Sequence, residues 1–186
     1  MAIYVPRARE EMKEVLAFPD LAPGPEVFYH MLRDASGNLT IWEPGEVGGE
    51  YIKVFGHYHR DDLKETYRVI YGEGLAFWQK RAVDTNGVPI DEEITEVKIF
   101  PVKTGDTIEI PSDFGHLFIN TGKSYLITID DGPDQASAFP LHADYEPVRK
   151  LHGFCYYVVN NSGRPGLLKN PNYRKIPAVE ILFSKT

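Results

Sequence analysis

From residue 26 to residue 130, short runs of β-branched and aromatic residues alternate with clusters of Gly, Pro, Asn and Asp. EVFYHML (26–32), NLTIW (38–42), EYIKVFGHYH (50–59), TYRVIY (66–71), LAFWQKR (75–81), ITEVKIF (94–100), DTIEIP (106–111), HLFINT (116–121) and YLITID (125–130) each predict a strand. Breaks such as Pro44-Gly45 and Asn86-Gly87 predict the turns between them. Ahead of this region, REEMKEVLAF (9–18) places Met12, Val15 and Leu16 at helical spacing and stops at Pro19, which predicts a short helix. Beyond it, LHADYEPVRKLHG (141–153) predicts a helix interrupted or restarted at Pro147 and ended by Gly153. A strand over 154–161, a turn from Ser162 to Gly166 and a last strand over 178–183 complete the pattern.

Closely spaced strands with no helices between them predict an all-β fold, an antiparallel sandwich or barrel. With no repeat, low-complexity tract or linker, the 186 residues are expected to form one domain. It divides into an N-terminal arm and helix (1–25), a barrel core (26–140) and a C-terminal helix with strands (141–186).

Composition narrows the function. The net charge is −7 and no dense Lys/Arg run occurs, so nucleic acid is not an expected partner. No apolar stretch approaches the roughly 20 residues that span a bilayer, and MAIYVPRAREEM lacks an apolar signal core. Cys155 is the single cysteine, which fits a reducing cytoplasm.

Candidate chemistry lies in GHYHRDDLKETYRVIYGEG (56–74). In a strand, His57 and His59 share a face, and neutral imidazole is the commonest protein ligand of transition metals. Glu65 opens the next strand and His116 a later one, so a hairpin return could gather three imidazoles and a carboxylate around one divalent ion. Alone, each residue also suits a blander role: a packed histidine pair, a solvated strand-end charge, a turn histidine.

The two segments together resemble the cupin superfamily. The first cupin motif is matched by His57, His59, Glu65 and Gly72, although Tyr51 stands where its leading glycine falls. The second is matched by Gly105, Pro111, His116 and Asn120, with Asp113 in place of its middle glycine. Five residues, RDDLK, separate His59 from Glu65, one or two more than usual; Asp61 and Asp62 read as loop charges, since Glu65 alone keeps the register to Gly72. The resemblance implies a single double-stranded β-helix, or jelly-roll barrel, with metal ligands His57, His59, Glu65 and His116. Fe, Mn, Ni, Co and Zn all accept such a set.

Within the cupins, EPGEVGGEYIKVFGHYH (43–59), ETY (65–67), ADYEPVRKLHGF (143–154) and NPNYRK (170–175) resemble the archaeal-type glucose-6-phosphate isomerases. That family implies interconversion of glucose 6-phosphate and fructose 6-phosphate by a metal-dependent homodimer. It also implies Glu65 as base, or a metal-assisted hydride shift in place of proton transfer, with Tyr67 and Tyr145 on the substrate side, and Thr40, Glu50 and Gly56 as further substrate-binding residues. On the residues alone, the tyrosines equally suit packing, Thr40 is a β-former, and Glu50 could pair with a neighbour. Val54, Asp130 and Ala143 depart from the family's threonine, tyrosine and histidine and point to a shifted phosphate site or another sugar. Mannose-phosphate isomerisation, non-haem iron dioxygenation and non-catalytic sugar binding are the alternative activities of the fold.

Overall fold

The computed structural model describes residues 3–21, 24–34, 37–60, 62–131, 143–179 and 181. In chain order the elements begin with β1 (Ile3–Ala8), α1 (Arg9–Met12), a 3₁₀ turn (Lys13–Val15), β2 (Val27–Asp34), β3 (Gly37–Trp42), β4 (Glu46–Val47) and β5 (Glu50–Lys53). There follow β6 (Tyr58–His59), β7 (Glu65–Tyr71), β8 (Glu73–Val83), β9 (Pro89–Lys103), β10 (Thr107–Ile110), β11 (Gly115–Asn120) and β12 (Leu126–Asp130). The chain then adds β13 (Ala143–Asp144), α2 (Glu146–Lys150), β14 (Tyr156–Asn161) and β15 (Arg164–Lys169).

Two antiparallel sheets face each other. The first runs β1-β2-β3-β12-β7-β10, the second β15-β14-β5-β11-β8-β9 with β4 against β5, and β13 pairs with β6. This is a cupin jelly-roll barrel. Its strands alternate as the pleat demands: in β10 the buried Ile108 and Ile110 flank the exposed Glu109. The inner faces meet in one apolar cluster extending from Met12 and Val15 through Trp42, Phe77, Phe118 and Phe154 to Tyr173. Pro89 and Pro101 lie in β9, an edge strand, where a missing N–H breaks no interior ladder. No helix among the described residues is long and apolar enough to cross a membrane.

The N-terminal region departs from the expected helix over 9–18. Residues 3–8 form β1 against β2, and helical turns continue only to Val15. Residues 15–17 then reach the second sheet. Glu50 accepts the Ala17 N–H at 2.7 Å, while Lys53, paired with Glu50, donates to the Val15 carbonyl at 2.6 Å. Glu50 and Lys53 are both buried. The predicted strand 50–59 also divides in two, because Gly56 at φ +80° turns the chain between β5 and β6. The turn expected over 162–166 shrinks to Ser162 and Gly163 at the tip of the β14–β15 hairpin, because Arg164, Pro165 and Gly166 already pair with β14. The helix expected over 141–153 is confined to α2, with 141–142 outside the described residues. Of the final predicted strand, 178, 179 and 181 carry no strand, and 180, 182 and 183 are outside the described residues.

Candidate metal centre and substrate pocket

Gly56 sets the position of the first histidine. A Cβ there would lie 2.9 Å from Phe154 and 3.2 Å from Leu117, so backbone conformation and space both call for glycine. Immediately after the bend, His57 and His116 exchange backbone hydrogen bonds (3.2 and 3.0 Å), which brings the two motifs side by side. Tyr58 stands between His57 and His59, and its ring fills the space beside Gly115, where a Cβ would meet it at 2.6 Å. Its hydroxyl accepts from Gln79 Nε2 at 2.6 Å, and Gln79 Oε1 accepts the Cys155 N–H at 2.9 Å. Burial raises the Tyr58 phenol well above its ordinary range, so it stays neutral in this network.

The motif's other residues have equally concrete tasks. Gly72, at φ +87°, closes the β7–β8 turn where a Cβ would lie 2.2 Å from the Tyr125 carbonyl. Asn120, fully buried, donates to the carbonyls of Trp42, Glu43 and Ser124 and so anchors the end of β11. Asp113 pairs with Lys80 on the surface beside the loop that delivers His116.

The donor atoms of His57, His59, Glu65 and His116 all lie within 4.8 Å of one another. Glu65 Oε2 is 3.3 Å from His59 Nε2 and 3.3 Å from His116 Nε2. Neighbouring ligands of one ion with bonds of about 2.1 Å have comparable separations. The Leu63 carbonyl, 2.9 Å from His59 Nδ1, can only accept, so Nδ1 carries the proton. The lone pair of the neutral ring is then on Nε2, directed at the cluster, as a metal-bound histidine with an anchored second nitrogen requires. The four residues are therefore a set able to hold a metal ion. Asp62 lies exposed in the loop before β7, and Asp61 is outside the described residues.

The cluster opens into a pocket between the two sheets. Tyr67, Tyr145, Thr40 and Gly56 line it, as do His57, Glu65 and His116. Tyr67 donates to Glu65 Oε2 at 3.2 Å, and its oxygen lies 3.4 Å from His116 Nε2. Burial, reinforced by Glu65 and Asp130, holds its phenol well above the ordinary range. The Tyr145 ring lies 5.3 Å from that of His57 and edge-on to Phe55, and burial raises its phenol as well. Glu50 does not line the pocket; its carboxylate holds the N-terminal segment. Val54, where the resemblance has threonine, does line it and offers no donor. Ala143 is buried in β13 opposite His59, and His142 is outside the described residues.

The sequence reading missed two members of one row of the pocket, Arg33 and Asn38. Arg33, Asn38, Asp130 and Tyr67 are successive cross-strand neighbours on β2, β3, β12 and β7. Arg33, Asn38 and Asp130 line the pocket, and Asn38 Nδ2 donates to Asp130 Oδ1 at 2.7 Å. Arg33 follows Tyr29 and Met31 at every second residue, so strand alternation places it on their face. That arginine at the end of an apolar row is the signal sequence alone contains.

A model of the family described as glucose-6-phosphate isomerase (GPI) matches residues 32–175. The chain belongs to this family. Its motifs and barrel make it a cupin member of the glucose-6-phosphate isomerases. The glucose-6-phosphate isomerase of Pyrococcus abyssi is 26% identical over 154 residues, covering 80% of this chain and 72% of that protein. The one from Thermococcus litoralis is 27% identical over the same length and coverage. Among solved structures, a predicted oxalate decarboxylase from Thermotoga maritima superposes with a TM-score of 0.37 at 20% identity, covering 55% of this chain and 76% of that one. The Drosophila melanogaster CENP-C cupin domain does so with 0.40 at 13% identity, covering 60% and 74%. Neither likeness bears on the chemistry of the site.

Proposed function

We propose that this family member interconverts glucose 6-phosphate and fructose 6-phosphate as a metal-dependent aldose–ketose isomerase. The observation that carries the reading is the convergence of three imidazoles and the Glu65 carboxylate, of which His57, Glu65 and His116 line a pocket together with Tyr67 and Tyr145. His57, His59, Glu65 and His116 would hold a divalent ion, which would supply Lewis-acid polarisation of the sugar's carbonyl. Glu65 removes the C2 proton of the open-chain aldose to leave a cis-enediolate and returns that proton to C1, while the hydroxyl proton passes from O2 to O1, giving the ketose. Tyr67, a neutral donor, stabilises the ionised carboxylate through its bond to Oε2. Tyr145 remains a hydroxyl beside His57 and donates to the sugar. Thr40 and Gly56 complete the wall on which the substrate rests.

The working unit in this reading is a cytoplasmic homodimer. Support for a second copy comes from the outer face of the first sheet, where Tyr4, Leu32, Leu39 and Ile129 form one cross-strand row. Ile41, Ile127 and Tyr71 form another. Tyr4, Leu32 and Tyr71 are exposed, and contiguous apolar surface of this kind marks an interaction face.

The test uses chelated protein reloaded with Fe, Mn, Co, Ni or Zn and follows fructose 6-phosphate conversion in a coupled dehydrogenase assay. Turnover that returns only with metal is expected. Oxygen uptake without isomerisation, or full turnover in the chelated protein, would refute the reading.

A further inference from the structure

Arg33 is 4% exposed, yet its guanidinium has almost nothing to bond to. Among the described residues, Nη2 reaches only the Met31 sulfur, at 3.3 Å, and Nε and Nη1 have no hydrogen-bond partner. A thioether is a weak acceptor, and a guanidinium carries five N–H donors. Asn38 stands between Arg33 and Asp130 in the cross-strand row and gives its amide to that carboxylate, and no hydrogen bond or ion pair joins Arg33 to Asp130 among the described residues. Burial of a charge without a counterion costs stability, and such arrangements persist where function requires them. The positive charge is felt inside the pocket: burial raises Tyr145 and Tyr29, and Arg33 opposes both rises.

We infer that Arg33 is the anion anchor of this pocket, the side chain that takes the phosphate of the sugar while the other end of the substrate lies at the histidine cluster. The phosphate identity rests on the isomerase reading above; the requirement for an oxyanion does not. A planar fork matches two oxygens of a phosphate or carboxylate bidentately. Thr40, diagonal to Arg33 across β2 and β3, places a hydroxyl beside it on the same wall. Three strand spacings separate Arg33 from Tyr67, at most about 14 Å of backbone, and both side chains enter the pocket, so one extended hexose can touch both ends. The inference also accounts for Val54: this chain needs no threonine donor there if an arginine across the pocket meets the anion.

The experiment compares wild type, Arg33→Met and Arg33→Lys, each loaded with the same divalent metal. Binding of fructose 6-phosphate, glucuronate and fructose is measured by calorimetry, with bound metal and melting temperature recorded. Arg33→Met should weaken fructose 6-phosphate roughly 30- to 1,000-fold, the effect of removing one partner of a buried charged pair. It should leave fructose binding and metal content unchanged and melt no lower than wild type, since it removes a buried charge. Arg33→Lys, which keeps charge but loses the fork, should fall between them. An affinity of Arg33→Met for fructose 6-phosphate within threefold of wild type would overturn the assignment, as would a wild type that binds neither anion better than fructose. Arg33-dependent preference for glucuronate over fructose 6-phosphate would keep the anchor and overturn the phosphosugar reading.

Discussion

Gly56 and Gly87 share a φ of +80° but differ in what surrounds them, which turns a pair of alanine substitutions into a controlled measurement. At Gly87, in the exposed β8–β9 turn, an added Cβ meets nothing within 4 Å. Gly87→Ala therefore bears only the left-handed backbone cost, about 1–2 kcal/mol. At Gly56 the same methyl lies 2.9 Å from Phe154 and 3.2 Å from Leu117, both fully buried and unable to retreat without disturbing the core. Overpacking adds about 1–3 kcal/mol, for a total of about 2–5 kcal/mol. At about 2–4 °C per kcal/mol for a chain of this size, Gly87→Ala should lower the melting temperature by roughly 2–8 °C and Gly56→Ala by roughly 4–20 °C. Thermal unfolding followed by circular dichroism on metal-free protein reads both. Equal shifts would refute the packing argument, and no shift in either would refute the backbone one. Because His57 follows directly, Gly56→Ala should also weaken metal binding, whereas Gly87→Ala should leave it intact.

His59→Ala should lose bound metal and turnover together; full metal content in the dialysed variant, by plasma emission, would remove His59 from the ligand set. Glu65→Gln, assayed at saturating metal, should retain its melting temperature and lose at least about 100-fold in turnover, within the usual range for a displaced acid–base group. Gln79→Leu should cost about 2–5 kcal/mol in urea unfolding, because it strands the Tyr58 hydroxyl and the Cys155 N–H in the core. Leu32→Glu combined with Ile41→Glu should convert a dimer to monomers in analytical ultracentrifugation without loss of fold; an unchanged sedimentation coefficient would place any dimer contact elsewhere.

The barrel was legible because period-2 apolar patterning and turn residues act locally, and the interior strands β2, β3, β7, β8, β11 and β12 lie close to where the pattern put them. β1 was not legible. Its Ile3, Val5 and Arg7 give no strong alternation, and the strand exists because β2 offers an open edge. β15 was hidden behind Pro165 and Gly166, which read as turn but serve an edge hairpin. Among site residues, the spacing of His57, His59, Glu65 and His116 pointed to one another because both motifs carry their own turns. Glu50 was open to two readings, substrate contact or pairing with a neighbour, and the barrel shows the pairing. Arg33 lies in no motif, and only the assembled barrel distinguishes a carboxylate that fastens the chain from a guanidinium that faces a pocket.

The bonds from Glu50 and Lys53 to Ala17 and Val15 have a bearing on cooperativity. Because β1 belongs to one sheet and residues 15–17 are fastened to the other, the first part of the chain ties the two layers together. Releasing it strands a buried ion pair and uncovers an edge of β2 at once, so it cannot fray piecemeal as terminal segments usually do. Hydrogen exchange at the Ala17 amide should then report global unfolding of the barrel, and a protein cut back to β2 would be a damaged barrel without its clasp.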